Sequence, residues 1–444
     1  MKKALAMALG AMLVTGAAAP ALAASQVDFS GYYRAIFAND WNQNRGTSRD
    51  KISDSYFVSR LNLDFVFQAT DEVSVYWTLR GLNEQRWGAG STAAETYHAY
   101  GEVKQDWGTV SIGRLTDAYS YLGLDTLGWN PGGTNDVFTN WGVFDFDAVW
   151  DGIRYANRWD NGFQLVAQFN RLGTAQMTGG DEQTADLFVL QPSYHWEDGG
   201  ASLALMYMRD HVNVDDNDLP HPDKPALKAY YINPAFAHSF GDYSVHFEGK
   251  AGWGKQEEAG QEIKHNGYAL YLDFDYNYGP GNVNLAGWWV SGTKAGADKS
   301  NSLVDFGDGF GPFIVAYDMA WSNDGKEGAV NAANARSAAT ISKGEDWDGG
   351  GGANHWAVAL TGSHGFTDDL TLKYGLARLA LNRVAPGAKK DIGWEADLGL
   401  EVNLLDNLEF RTTAGYLFAG DALKVGDESA ADSYAWYNTL VFSF

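Results

Sequence analysis

The side chains best suited to chemistry are charged and fall into two groups. Arg34, Arg60, Arg80 and Arg154 lie, by alternation, on the polar face of extended segments in the first part of the chain. Asp117, Asp125, Asp136, Asp145 and Asp147 share one stretch, 115–150. Cations on one side and carboxylates on another can select ions by sign and orient dipolar solutes. The same groups could instead pair with each other and merely hold the stretch in place, so both uses stay open. Covalent chemistry has less support. The nine histidines form no H-E-x-x-H or other tight ligand spacing, which argues against zinc. There is no G-x-S-x-G nucleophile elbow. A hydrolase gathering Asp, His and Ser from separate strands would escape motif reading, but the chain reads as a non-enzyme with no cofactor. Asp215–Asp218 and Glu345–Asp348 could offer oxygen ligands to Ca²⁺, though neither has EF-hand spacing and solvated acidic loops are the plainer account. A net charge of −24 argues against nucleic-acid partners, which need clustered Lys and Arg.

The elements that carry these residues read as strands. In 60–67, Leu61, Leu63, Phe65 and Phe67 alternate with Arg60, Asn62 and Asp64. In 73–80, Val75, Trp77 and Leu79 alternate with Ser74, Tyr76, Thr78 and Arg80. Such alternation describes strands between two unlike environments. In a soluble sandwich the apolar face would be core. In a membrane barrel it meets lipid, while the polar face meets water in the lumen. Past the N-terminal residues, no uncharged apolar run reaches the ~18–20 residues of a membrane helix. The 17 Trp and 23 Tyr suit aromatic girdles at two membrane interfaces. With no Cys, there is no disulfide framework, and stability must come from hydrogen-bonded ladders.

Both ends point the same way. Met1-Lys2-Lys3, the apolar run Ala4–Ala19 and Ala21-Leu22-Ala23 have the three-part layout of a cleaved export signal, 1–23. At the other end, Trp436, Leu440, Phe442 and Phe444 lie on one side of a period-2 pattern that Asn438 interrupts. Thr439 and Ser443 lie on the other side, with Val441 as an exception. A half-apolar strand stopping on an aromatic residue resembles the closing strand of an outer-membrane barrel.

Between the ends, eight tight connections (70–72, 105–108, 159–162, 197–200, 241–242, 278–282, 367–369 and 405–407) carry the Asp, Asn and Gly of hairpin turns. They alternate with longer polar segments at 40–54, 84–95, 115–150, 173–185, 210–226, 254–266, 294–353, 382–392 and 419–433. Nine loops and eight turns join 18 strands, or 16 if one hairpin is misread. Short turns on one side and long loops on the other is the habit of transmembrane barrels. The expectation is therefore an all-β, antiparallel transmembrane barrel in one domain, 24–444. The segment 294–353 is too long for a plain loop and suggests a short folded element near Phe313–Tyr317.

Gly-Thr-Val-Ser-Ile-Gly-Arg at 108–114, the triplet Ile153-Arg154-Tyr155, and Gly162-Phe163 after a turn resemble the Gram-negative trimeric porins. The overall look is also similar to the homotrimeric porins of sulfate-reducing bacteria. The family's Pro-Glu-Phe-Gly-Gly-like loop tip is absent; Asn130-Pro-Gly-Gly133 is the nearest stretch. The general porins of the family have 16 strands. The resemblance implies an outer-membrane homotrimer, embedded among membrane lipid and lipopolysaccharide, passing ions and small hydrophilic solutes passively. It implies that 115–150 folds inward and sets its aspartates against the arginine wall as a constriction. It also assigns Arg114 to that constriction, although alternation puts Arg114 on the lipid side unless a local bulge corrects it. Two other readings remain: a channel specific for a sugar or small organic anion, with Tyr76, Tyr100 and Tyr119 as candidate track residues, and a structural or adhesive surface barrel.

Overall fold

Period-2 sequences become long strands here because each can hydrogen-bond on both edges only by joining a ring. The structure, a computed structural model, describes residues 26–41, 53–87, 94–116, 149–176, 182–210, 227–258, 261–294, 299–301, 313–316, 354–424 and 430–444. The first strands are β1 (Gln26–Trp41), β2 (Ser53–Gln68), β3 (Val73–Arg86), β4 (Glu95–Gln105), β5 (Gly108–Thr116) and β6 (Val149–Arg158). Next come β7 (Phe163–Gln176), β8 (Glu182–Trp196), β9 (Gly199–Asp210), β10 (Leu227–Phe240), β11 (Tyr243–Glu258), β12 (Gln261–Asn277) and β13 (Gly281–Val290). A two-residue strand, β14 (Lys299–Ser300), precedes β15 (His355–Thr367), β16 (Leu370–Leu381), β17 (Asp391–Leu405), β18 (Leu408–Ala419) and β19 (Ser433–Ser443). β14 lies parallel to β12; the other 18 strands pair antiparallel with their neighbours, and β1 pairs with both β2 and β19. The barrel is thus closed. At the seam the Gly31 amide donates to the Phe444 carbonyl at 2.9 Å, and the Phe444 amide donates back to Gly31 at 3.0 Å.

All eight tight turns fall where the sequence places them. The segment 254–266 does not form the long loop expected there. β11 runs to Glu258 and β12 starts at Gln261, paired to that tip. Above the bilayer both faces of a hairpin meet water, so the apolar alternation vanishes while the backbone ladder continues. The export-signal region 1–23, the stretch 117–148 and most of 294–353 lie outside the described residues.

Large apolar side chains point outward. Phe188, Leu205, Leu270, Phe274, Leu360, Leu398, Trp436 and Phe442 are among the exposed ones. Alternate positions face in, where the polar residues Asn62, Ser111, Asn170, Asn233 and Asp273 are buried. The interior is mixed, since Leu187, Met206, Leu227, Leu379 and Leu417 are buried there as well; it is the apolar exterior that reverses a water-soluble protein and matches a barrel in lipid. No helix among the described residues is long and apolar enough to cross a membrane; the strands make the crossing.

Candidate functional site

Register fixes which charges share the lumen, because directly paired residues lie on the same face. Arg34 on β1 stands opposite Arg60 on β2, on the face away from the outward pair Phe37 and Phe57. Arg80 on β3 stands opposite Asn62 and donates from Nε to its Oδ1 at 3.4 Å. The Arg80 guanidinium lies 3.3 Å from the centre of the Tyr97 ring. Arg154 on β6 is paired with Ser111 and Gln168, both buried and inward. His98 on β4 lies within the electrostatic reach of Arg80, Arg114 and Arg154, and its Nδ1 is 3.2 Å from Thr78 Oγ1. Four arginines therefore line the inner wall of β1–β6. Two of them, Arg34 and Arg60, are directly opposed, an arrangement that costs stability in a sheet. Tyr76 and Tyr100 stack on this wall with centroids 4.7 Å apart.

Arg114 is placed differently. No register shift occurs in β4–β5 or β5–β6, so the expected corrective bulge is missing; the nearest shift, between Thr78 and Leu79, is in β3–β4. Arg114 keeps the parity of outward Ile112 and stands opposite Asp151, donating from Nε to the Tyr97 carbonyl at 3.1 Å. Before it, Gly113 has φ +135°, where a Cβ would meet the Ala99 carbonyl at 2.3 Å. Asp117, Asp125, Asp136, Asp145 and Asp147 lie outside the described residues, as do Tyr119 and the acidic runs 215–218 and 345–348.

Sequence reading missed the acids of the opposite wall. Nine steps round the ring of 18 from β2 is β11, so β1–β3 face β10–β12 across the lumen. There Glu248, Asp273 and Asp275 point inward, alternating on β12 with exposed Leu272 and Phe274. His246 Nδ1 lies 3.2 Å from Asp273 Oδ2, and Asn284 donates to Asp273 Oδ1 at 3.2 Å. Asn282 holds Asp275 at 3.0 Å. Alternation in Leu272-Asp273-Phe274-Asp275 was the available signal. It could not say which strands stand face to face.

The long segment after β13 also enters the lumen. Phe313–Ala316 form a turn against the inner wall, each at most 2% exposed. Its amides are caught by two buried carboxylates of β17. Val315 and Ala316 donate to Glu395 Oε1 and Oε2 at 2.5 and 2.6 Å, and Ile314 donates to Asp397 Oδ2 at 3.3 Å. Phe313 stacks on Trp288 of β13 with centroids 6.2 Å apart. On β18, a Cβ at Gly415 would come within 2.7 Å of Ile314. The folded element expected near 313 is therefore present, and its anchors are Glu395 and Asp397. These barrel-wall acids hold the turn against the inner wall. Among the described residues no cluster of His, Asp and Glu side chains is arranged to hold a metal.

A sequence model of the Gram-negative porins matches residues 6–232, just over half of the chain. No curated protein matches significantly. Among solved structures, the outer membrane protein OpdK of Pseudomonas aeruginosa is similar at TM-score 0.54 and 11% identity, covering 94% of this chain and 98% of its own. OpdQ of the same organism is similar at TM-score 0.52 and 13% identity, with the same coverage. Its OccK2 (OpdF), solved in complex with glucuronate, is similar at TM-score 0.53 and 12% identity, covering 96% of this chain and 99% of its own. At such identity these likenesses speak for the fold.

Proposed function

The chain belongs to the Gram-negative porin family, and from that premise we propose an outer-membrane channel through which ions and small hydrophilic solutes diffuse passively, sorted by a field across the lumen. The observation carrying this reading is a group of inward arginines on one wall facing inward carboxylates on the other, although Asp64 and Glu102 also point inward on the first wall and Lys250 on the second. Arg34, Arg60, Arg80 and Arg154 occupy β1–β6, and Glu248, Asp273 and Asp275 occupy the strands facing β2 and β3. A solute between such walls is oriented by its dipole and sorted by its sign, and no covalent step is required. The functional unit we propose is a homotrimer of single-domain barrels, 24–444, exported through the cleaved segment 1–23. The stretch 115–150 adds its aspartates to the constriction.

The test is a reversal potential across planar bilayers in a salt gradient. One charge about 8 Å from an ion's path is worth about 0.5 kcal/mol in water, halved by screening at 0.1 M salt. Removing Arg60, Arg80 and Arg154 together (each →Ala) should shift the cation-to-anion permeability ratio about tenfold toward cations. The shift should fade at 1 M salt, where the Debye length is about 3 Å. Arg114→Ala, on the outer face, should change little. An unchanged reversal potential in the triple variant would sink the field.

A second reading, a channel selective for a small organic anion, is favoured by the 313–316 turn, which narrows a lumen that already carries an arginine wall. The similarity to OccK2 bound to glucuronate agrees with it. Saturable block of the ion current by glucuronate would select this reading; linear, unblocked current would select the first.

A further inference from the structure

The inward charges are ordered by height as well as by wall, and height accounts for those that the wall does not. The short turns lie at one end of the barrel, so distance along a strand from that end measures height. Arg34 lies eight residues from Gln26 on β1, which pairs with Gln68 at the foot of β2. Arg60 is eight residues from Gln68, Arg80 seven from Val73 on β3, and Lys250 seven from Tyr243 on β11. Lys250 is buried on the inner face, 5.6 Å from the centre of the Tyr231 ring. The acids lie lower. Asp64 is four residues from Gln68, Glu248 five from Tyr243, and Asp273 and Asp275 four and two from Asn277. Both walls therefore carry cations above carboxylates. Three lower cations are answered by neighbouring acids: Lys104 by Glu102 at 3.3 Å, Lys373 by Glu401 at 2.6 Å and Arg411 by Glu409 at 2.9 Å. Glu395 and Asp397, higher on β17, are engaged by the amides of the turn. Arg154, level with the acids, and Arg158 at the rim are the exceptions. The rim itself continues the lower sign, since of the eight tight turns only 278–282 lacks Asp or Glu.

A strand rises about 3.3 Å per residue and tilts by about 40° in such barrels, so three or four residues separate the layers by about 8–10 Å. That is close to the Debye length of about 10 Å at 0.1 M salt, and each layer therefore sets its own ion atmosphere. Fixed cations gather anions, and fixed carboxylates gather cations. Two such layers in series do not pass current equally in both directions. With the short-turn side positive, anions held above and cations held below both drift toward the step between the layers and fill it with carriers. With the opposite sign both drift away and the step empties. A field acting only across the lumen has no such preference, because reversing the voltage leaves it unchanged.

We propose that the four cations stacked above the four carboxylates make the channel a rectifier, which passes the larger current when its periplasmic, short-turn side is positive. This rests on the channel reading above and adds a direction to it. Single channels of the full chain are recorded in planar bilayers with equal KCl on both sides, at about pH 8, where an imidazole in water is neutral. Lys389→Cys, in an outside loop of a chain without cysteine, reports the orientation of each insertion by the side from which a membrane-impermeant maleimide reacts. At 0.1 M salt the ratio of currents at equal and opposite voltages should be about two or more, and it should fall toward one at 1 M, where the Debye length is about 3 Å. This salt comparison needs no variant of the lumen to fold. Asp273→Asn with Asp275→Asn should bring the ratio toward one and move the reversal potential in a salt gradient toward anions. Lys250→Met with Arg80→Gln should also bring the ratio toward one, but move the reversal potential toward cations. Arg114→Ala, on the outer face, should leave the ratio as it is. A ratio of one at 0.1 M salt in open, ion-selective wild-type channels would overturn the rectifier and leave the channel reading standing. Silent membranes would overturn both. A ratio that persists at 1 M salt, or a larger current with the periplasmic side negative, would overturn the rectifier too, since fixed charge in this order gives neither.

Discussion

Glu395→Ala is expected to release the turn that narrows the lumen. The side chain accepts the amides of Val315 and Ala316 at 2.5 and 2.6 Å, on a turn at most 2% exposed. Truncation leaves both N–H groups buried without that acceptor, at about 1–3 kcal/mol each, or roughly 2–6 kcal/mol together. At about 1.4 kcal/mol per factor of ten, the detached population should rise at least about thirtyfold. Glu395→Gln keeps one good acceptor oxygen and should lie between. The chain contains no cysteine, so Ile314→Cys creates a unique label site. A membrane-impermeant maleimide should modify it slowly when Glu395 is present and at least tenfold faster with Glu395→Ala. Single-channel conductance should rise and flicker in parallel, with the barrel's heat-modifiable gel mobility intact. Equal labelling rates and equal conductance in the two backgrounds would refute the idea that this carboxylate holds the turn.

Gly415→Val should give the same phenotype by steric means, since the new side chain would collide with Ile314 and with Asp397 Oδ1; conductance and Ile314→Cys labelling report it. Leu270→Arg places a charge on an outward, 49% exposed position of β12 and should cost about 2–4 kcal/mol near the bilayer midplane, read as reduced folding yield in vesicles. Asn62→Leu removes an acceptor of Arg80 but leaves its guanidinium over the Tyr97 ring; it should alter ion selectivity less than Arg80→Ala does, with reversal potential as the readout.

Local chemistry settles some features of this protein, and the closed ring settles the others. Alternation in Leu61–Phe67 and Val75–Leu79 fixed which face meets lipid, because a strand's side chains can point only two ways. Asp, Asn and Gly at the eight turns fixed where the chain reverses. Arg34, Arg60, Arg80 and Arg154 were legible as inward for the same reason. Alternation also placed Arg114 outward, and the unbroken register of β5 with both neighbours keeps it there. The hairpin at 254–266 was not legible, since both its faces are wet above the membrane. Nor could sequence reveal that β11 and β12 stand across from β2 and β3, that Glu395 and Asp397 catch the amides of a turn some 80 residues earlier, or that Lys250 stands level with Arg60 and Arg80 of the facing wall. Period and turn chemistry act within a few residues of the chain. Opposition across a lumen and alignment across strands exist only once the last strand has paired with the first.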